Sequence, residues 1–308
     1  MLQGAAAVRL LVLGGTVFLS RAVAVHARDR GHDVACAARG VSGDPPDGVR
    51  FVRLDRASPE ALAPLAGMEF DAVVDVARQS VTQVRAAVHA LGSRAAHWTY
   101  VSSRSVYAEK ATPGQDASAT LVEAADDSLD EDDPANYGHL KVAAESCILD
   151  AVGAKAFIPR PGLIVGAGDV SDRYGYWPAR ISRGGEVLCP GDPSTHVQWV
   201  DVVDLAAWIV LAAEQRLVGV YDATCTPTPM GELLTGTASG CGSSAEFTWV
   251  ANEFLLARGV EPWMGPRSLP LWLPAPEYAG YARWDVSASL AAGLTIRPIE
   301  QTAAAALA

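Results

Sequence analysis

The chain has 308 residues, half of them hydrophobic and 19% charged, with a formal charge of −11 and a pI near 5.0. That length can bury a full core, the composition is globular rather than disordered, and no apolar stretch is long enough to cross a bilayer. The acidic balance opposes general attraction to nucleic acid or to an anionic membrane, which leaves a small molecule as the expected partner.

Leu10 to Leu13 form an apolar run without polar alternation, as in a central parallel strand buried on both faces. Gly14 and Gly15 break the chain, and Arg21 to Arg30 are helix-compatible, closed by Gly31 and His32. Strand, glycine turn and helix in that order aim backbone N–H groups and the positive end of a helix dipole at a phosphate, which suits a dinucleotide. Aligned on Gly14, the later glycines of G-x-G-x-x-G fall at Val17 and Ser20, and Ser20 is small enough for close helix–strand packing. Two plainer readings compete. One is an ordinary core strand and turn; the other is a secretory signal imitated by Arg9, the apolar run and Ala22-Val23-Ala24, although Gly14 and Gly15 interrupt it.

Asp33 to Ala38 reads as a second strand ending at Arg39, where a dinucleotide's adenosine ribose would lie. An acidic residue there bonds a 2′-hydroxyl, whereas an arginine pairs with a 2′-phosphate, so Arg39 points to NADP(H) over NAD(H), unless it is a solvated loop arginine. The Gly-, Asp- and Pro-rich loop from Val41 to Gly48 is expected to be exposed. Val49 to Leu54 alternates as a strand, with Asp55 placed to contact the adenine. A short helix over Ser58 to Leu65, a buried strand from Phe70 to Val76, a helix from Val81 to Leu91 and a strand from His97 to Val101 follow. The last runs into Ser102-Ser103-Arg104-Ser105-Val106-Tyr107. Strands separated by helices in this way predict an α/β fold with a doubly wound parallel sheet of Rossmann type.

Residues 108 to 133 form a polar loop with Glu123, Asp126, Asp127, Asp130, Glu131, Asp132 and Asp133. Their spacing matches no calcium loop, so a solvated acidic loop is expected. Asp133 and Pro134 begin a helix that runs to about Val152 and carries Tyr137 and Lys141. Ala154 to Ile158 is a sixth strand opening onto Arg160-Pro-Gly-Leu-Ile-Val-Gly166, and a Tyr-, Trp-, Arg- and Gly-rich segment spans 169 to 185. Gln198 to Val200 is a short strand, Val202 to Glu214 a helix, and Gly219 to Asp222 a strand returning to the sheet. Beyond Thr226 the periodicity weakens among prolines and Trp249, Trp263, Trp272 and Trp284, as expected of a smaller C-terminal substrate-binding lobe. The expected dinucleotide-binding domain is 1–165 with about 196–225, and the lobe about 166–195 with 226–308. Five scattered cysteines without a C-x-x-C pair fit reduced thiols in a cytoplasm, and the dispersed histidines predict no metal.

Tyr137 and Lys141 share a helix face one turn apart. A free tyrosine, with a pKa of about 10, is a poor base at neutral pH. A neighbouring ammonium and the positive charge of an oxidised nicotinamide both favour the phenolate. The phenol then exchanges a proton with a substrate hydroxyl or carbonyl while a hydride moves, and a serine at the end of the fifth strand holds the same oxygen. Taken alone, the Y-x-x-x-K spacing is common by chance and describes an exposed surface pair equally well.

The order of the parts carries more than any one of them. Glycine turn, Arg39, Ser102-Ser103, Tyr137-x-x-x-Lys141 and Arg160-Pro161-Gly162 together resemble the extended short-chain dehydrogenase/reductase superfamily, in particular its NAD-dependent epimerase/dehydratase branch. The resemblance covers about residues 8 to 215 well and the rest in outline. Leu13-Gly-Gly-Thr-Val-Phe-Leu-Ser20 is similar to the atypical G-G-T-x-F-x-G subgroup, with Ser20 in place of its last glycine. The resemblance implies that Tyr137 is the catalytic tyrosine and that Lys141 lowers its pKa and binds the nicotinamide ribose. It implies Ser103 as the catalytic serine of S-S-x-x-V-Y, with Ser102 beside the cofactor. Gly14, Gly15, Thr16 and the amides of Phe18 and Leu19 would bind pyrophosphate. Val76 and Ala77 would flank the adenosine half, and Pro161, Gly162, Leu163 and Ile164 the nicotinamide. A homodimer is the family's habit.

Departures from the family pattern narrow the reaction. Sugar-nucleotide 4,6-dehydratases carry Asp-Glu after the catalytic hydroxyl residue, and this chain has Arg104-Ser105, so that elimination lacks its acid and base. Nucleotide-sugar epimerases often place an arginine for the diphosphate where Val197 stands in Val197-Gln-Trp-Val-Asp-Val-Val-Asp-Leu-Ala206; Arg173, Arg180 and Arg183 are the available substitutes. Arg104, Ser105, Arg173 and Gln198 are the expected substrate-side residues, with Arg104 either meeting a polar or acidic substrate or lying on the surface. The expected activity is NADP(H)-dependent interconversion of a carbonyl and a secondary alcohol on a small organic molecule. The alternatives are a nucleotide-sugar or other sugar epimerase that retains its NAD(P), and a non-catalytic nucleotide-binding or regulatory protein.

Overall fold

Seven short strands pair side by side, all in parallel, at the centre of the computed structural model, which describes residues 6–58, 60–77, 80–126, 128–171 and 173–308. In chain order the first half holds β1 (Arg9–Leu13), α1 (Phe18–Asp29), β2 (Asp33–Ala38), β3 (Arg50–Arg53), β4 (Ala72–Asp75), α2 (Val81–Leu91), β5 (His97–Tyr100), α3 (Tyr137–Val152) and β6 (Ala156–Pro161). There follow β7 (Leu163–Val165), α4 (Tyr176–Ile181), β8 (Glu186–Pro190), β9 (His196–Val197), β10 (Trp199–Asp201), α5 (Val202–Gln215) and β11 (Gly219–Ala223). The rest comprises β12 (Thr228–Pro229), α6 (Met230–Gly240), β13 (Glu246–Val250), α7 (Asn252–Ala257), α8 (Ser287–Ala291) and α9 (Ile299–Leu307).

The sheet order is β11-β6-β5-β4-β1-β2-β3. Side chains alternate across each strand, so β1 feeds two cores. Leu10 and Val12 pack with Val23 and Ala24 of α1 and Leu205, Trp208 and Ile209 of α5. Leu11 and Leu13 pack with Val84 and Val88 of α2 and Ala144 and Ile148 of α3. Helices on both faces explain why β1 lacks polar alternation. The chain leaves β1 toward β2 on one side and reaches β4 on the other, so a crevice opens beyond the carboxyl ends of β1 and β4, the position where such sheets bind ligands.

Most expected elements are present, with displaced ends. The first helix begins at Phe18 rather than Arg21, and Ser20 Oγ donates to the Val17 carbonyl (2.7 Å) inside its first turn. The helix expected over 58–65 is a single 3-10 turn, Ala63–Leu65, because Pro64 supplies no N–H and crowds the preceding turn; Pro59 lies outside the described residues. The acidic loop ties itself down. Glu131 accepts from Val81 N (2.9 Å) at the start of α2, Asp126 from Ser128 N (2.8 Å), and Asp133 from Ala135 N (2.9 Å) just before α3, while Asp127 lies outside the described residues. Among the described residues, no three His, Cys, Asp or Glu side chains are grouped as metal ligands would be. Nor is any helix long and apolar enough to cross a membrane.

A third cluster joins Leu163 and Trp199, expected in the dinucleotide-binding domain, to Trp177, Val187, Leu233 and Trp272 of the expected smaller lobe. The lobe is fastened to the sheet domain by hydrogen bonds to buried groups. Arg297 donates from its backbone N (2.9 Å) and Nε (2.8 Å) to Asp204 at the start of α5, and Thr302 Oγ1 donates to Asp201 Oδ2 (2.7 Å).

Candidate active site

The turn after β1 needs glycine for two separate reasons. Gly14 (φ 131°) and Gly15 (φ 101°) lie where L side chains are strained, and a Cβ on Gly15 would fall 2.2 Å from Cys36 Sγ. Gly14 N donates to the Ala37 carbonyl (2.9 Å), which locks the turn to β2. The first amides of the twelve-residue α1 receive no side-chain cap, since Val17 stands at the capping position. Uncapped amides and the helix dipole suit a pyrophosphate. Ser102 Oγ is buried, with no hydrogen-bond partner, where β5 ends. A cradle that a methyl group would fill, an open helix terminus and an orphaned hydroxyl together fit a dinucleotide.

The other residues expected near it fall around this crevice. Thr16 and Leu19 are buried in the turn and the first helical turn, Phe18 (φ 37°) opens α1, and Val76 and Ala77 are half-buried just after β4. Arg39 is exposed beyond β2 and makes no hydrogen bond or ion pair with another described residue. Asp55 is exposed, and its Oδ1 accepts from Ala57 N (3.1 Å), so its carboxylate serves its own turn. Pro161 ends β6, Gly162 N donates to the Ala223 carbonyl (3.2 Å), and Leu163 and Ile164 begin β7.

Lys141 is 2% exposed, which rules out a solvated surface pair. Its Nζ donates to the carbonyls of Ala77 and Val101, each at 2.8 Å, beyond the ends of β4 and β5. The ammonium lies 4.8 Å from the Tyr100 ring centroid and 5.8 Å from that of Tyr137. Tyr137 is half-buried as the first residue of α3. Ser103 is half-buried; its Oγ accepts from Ser105 N (3.1 Å) and donates to Ser105 Oγ (3.2 Å). A glycine that the sequence reading passed over brings these two groups together. A Cβ on Gly138 would lie 2.3 Å from the Ser105 carbonyl oxygen, so only glycine lets the start of α3 press on the serine turn.

The substrate-side residues divide. Arg104 is not on the surface: it is 2% exposed, and burial lowers its pKa. Its Nη1 donates to Gln198 Oε1 (3.2 Å) and its Nη2 to the Tyr281 carbonyl (2.6 Å). Gln198 also accepts from Trp284 N (3.1 Å) and donates to the carbonyls of Cys225 (2.8 Å) and Trp284 (3.1 Å), so its amide is wholly engaged within the protein. Arg173 donates to Ser171 (3.0 Å) and Arg180 to the Gly184 carbonyl (3.1 Å), each in its own loop, and Arg183 is exposed. A cavity of about 80 Å³ beside Val197 is lined instead by Gln198, Trp263, Tyr278, Tyr281 and Arg283. Arg283 followed no motif, so nothing in the sequence marked it.

One further pair was also missed. Arg56 grips Asp75, the wholly buried last residue of β4, through both carboxylate oxygens (2.7 and 2.8 Å). Asp75 Oδ1 also accepts from Ala77 N (2.9 Å), which fixes the Val76-Ala77 corner. The one available signal was a lone acid closing an apolar strand; its partner lies 19 residues away in another segment.

The family model for the NAD dependent epimerase/dehydratase family matches residues 10–222. No curated protein matches the chain in sequence. Solved structures share its fold. The Bordetella bronchiseptica enzyme WbmH, solved with NAD+, superposes with a TM-score of 0.68 at 19% identity, covering 97% of this chain and 96% of that one. UDP-N-acetylglucosamine 4-epimerase from Bacillus cereus gives 0.68 at 13%, covering 98% of each. RMD from Pseudomonas aeruginosa, complexed with NADPH, gives 0.60 at 18%, covering 98% of each.

Proposed function

The chain belongs to the NAD dependent epimerase/dehydratase family, whose members are nicotinamide-dependent enzymes of the extended short-chain dehydrogenase/reductase type, and from that premise we propose that it interconverts a secondary alcohol and a carbonyl on a small organic substrate, with NADP(H) preferred. The observation that carries this reading is Lys141, a buried ammonium between two strand-end carbonyls and near the Tyr137 ring. A positive charge held there favours the phenolate of Tyr137 over the phenol. Tyr137 then takes the proton of a substrate hydroxyl, or returns it to a carbonyl oxygen, and Ser103 Oγ holds that same oxygen in line. A bound nicotinamide supplies or accepts the hydride. The absence of an Asp-Glu pair after Ser103 argues against an elimination, since Arg104 and Ser105 offer neither general acid nor base. Arg39 supports the 2′-phosphate because it is exposed at the strand end and has no acidic partner among the described residues. All five cysteines are free, which supports a cytoplasmic setting.

Epimerisation, with the hydride returned to the opposite face and the cofactor retained, is the second reading. It is favoured by the likeness to the Bacillus cereus 4-epimerase. The two separate on turnover of a panel of ketones and UDP-sugars: net loss of NADPH supports the first, and product without net loss supports the second. Tyr137→Phe is expected to keep cofactor affinity within about twofold and to lose at least about 10²-fold in kcat, the usual contribution of a positioned acid–base group. Equal rates for variant and parent would remove Tyr137 from the chemistry.

A further inference from the structure

Three arginines, Arg104 and Arg160 buried and Arg56 half-buried, are engaged within the protein, and one differs from the others. Arg56 is paired with Asp75 and Arg160 with Glu145, each through two hydrogen bonds to a carboxylate. Arg104 has only neutral partners. Its guanidinium lies 5.0 Å from the Tyr281 ring centroid and 4.7 Å from that of Trp284, its two Nη groups meet an amide oxygen and a carbonyl, and its Nε is buried without an acceptor. Among the described residues no carboxylate comes within ion-pair distance of it. A guanidinium keeps its proton even when burial weakens its hold, so a full positive charge sits here with no carboxylate in contact, and Asp222 acts on it only across space. Such a charge carries a desolvation penalty that a neutral residue would avoid.

Fastening the lobe does not require that charge. The segment carrying Tyr281 and Trp284 has its own backbone bonds: Gly280 N to Lys110 O (3.0 Å), Gly114 N to Arg283 O (2.7 Å) and Asp285 N to Gln115 O (2.8 Å). The position of Arg104 suggests another use. It follows Ser103 directly, and its Cδ lies 3.7 Å from where a Cβ on Gly162 would be, so its stem passes beside Gly162.

We propose that Arg104 makes the cleft prefer the reduced nicotinamide, its buried positive charge opposing the positive ring of the oxidised form. This rests on the proposed function and on the family resemblance, which implies that the segment holding Gly162 flanks the nicotinamide. Hydride addition removes the ring's charge, so a fixed cation nearby penalises only the oxidised state. A unit charge about 10 Å away at an effective dielectric of about 20 changes the ratio of affinities by about tenfold. Asp222 opposes the effect: its field reaches Arg104 without touching it, and its Oδ2 is itself buried and unpartnered.

The test needs no substrate. Dissociation constants for NAD+, NADH, NADP+ and NADPH are measured by fluorescence titration on the parent, R104Q, R104K and D222N, with thermal melting as the check of folding. The ratio of oxidised to reduced dissociation constants is expected to fall about fivefold to tenfold in R104Q, to stay within about twofold in R104K, and to rise in D222N. An unchanged ratio in R104Q overturns the proposal, and so does an R104K ratio as low as that of R104Q, because shape rather than charge would then be responsible. If R104Q fails to fold, D222N decides: a ratio no higher than the parent's overturns it. Loss of turnover in Y137F with an unchanged R104Q ratio leaves the functional reading standing and removes this one. Failure of the parent to bind any of the four dinucleotides removes both.

Discussion

Arg39 sets a test that a single side chain can answer. It is exposed beyond β2 and no acid among the described residues holds it, so its guanidinium is available to an anion. A charge-assisted bond of this kind contributes about 1.5–3 kcal/mol, or about tenfold to a hundredfold in affinity. Arg39→Glu removes it and sets a like charge against a 2′-phosphate while offering an acceptor to a 2′-hydroxyl. NADPH binding is therefore expected to weaken at least about tenfold, with NADH unchanged or improved. Equal NADPH affinities of variant and parent by fluorescence titration would sink the 2′-phosphate assignment. Asp222 offers a second test, through pH. Burial pushes it up from 3.8 to about 6, against the opposing pull of Arg104, the Tyr107 hydroxyl and Arg160. Between about pH 4 and pH 6 the folded chain then binds more protons at this residue than the unfolded chain does. Stability accordingly falls as pH rises through that window, by about 2–3 kcal/mol in all. Asp222→Asn keeps an acceptor for the Tyr107 hydroxyl, which donates to Oδ1 at 2.8 Å. It is expected to melt higher than the parent at pH 7 and no higher at pH 4; equal melting points at pH 7 would contradict the buried charge.

Close approaches between elements explain both what sequence patterning reveals and what it hides. The helix expected from Val81 to Leu91 is α2 to the residue, because Ser80 caps it by accepting from Gln83 N (3.2 Å) and its apolar face is continuous. The early start of α1 was hidden because Phe18 (φ 37°) enters the helix through a conformation that its residue type does not advertise. The same limit conceals Gly138, which looks like an ordinary helical glycine until its 2.3 Å approach to the Ser105 carbonyl is known. Gly138→Val would push the start of α3, with Tyr137, off the serine turn while leaving the Lys141 contacts one turn further on. Misplacement by about 1 Å costs on the order of 10²-fold in rate. The variant is expected to keep its circular dichroism and bind cofactor within about threefold, with kcat lower by about 10²-fold. A valine variant as fast as the parent would mean that the α3–serine contact does not align the site.

Across the whole molecule, the motif-bearing half was legible and the joint between the lobes was not. Gly14 and Gly15 follow an apolar strand and Tyr137 and Lys141 sit one helical turn apart, patterns that local geometry dictates, and the structure places them after β1 and at the start of α3, with Ser103 after β5. Tyr281, Arg283 and Trp284 reach that neighbourhood only because the chain returns from the far lobe, and no local pattern signals a contact across 177 residues such as Arg104 to Tyr281. Gln198 is the centre of that joint. It links Arg104 after β5, Cys225 after β11 and Trp284 before α8 through four hydrogen bonds, all in the interior. Gln198→Leu retains most of the volume but leaves an arginine Nη, a backbone N–H and two carbonyls without partners. Each buried orphan costs about 1–3 kcal/mol, and water entering at the cavity would recover part of that. A net loss of about 2–4 kcal/mol is therefore expected in urea unfolding. Because the joint lies at the cavity wall and away from the glycine turn, the Km for substrate should rise while the affinity for NADPH holds within about twofold. An unchanged unfolding midpoint would show that the Gln198 bonds add nothing to the links from Arg297 to Asp204 and from Thr302 to Asp201. A matching loss of NADPH affinity would show that Gln198 supports the cofactor side as well.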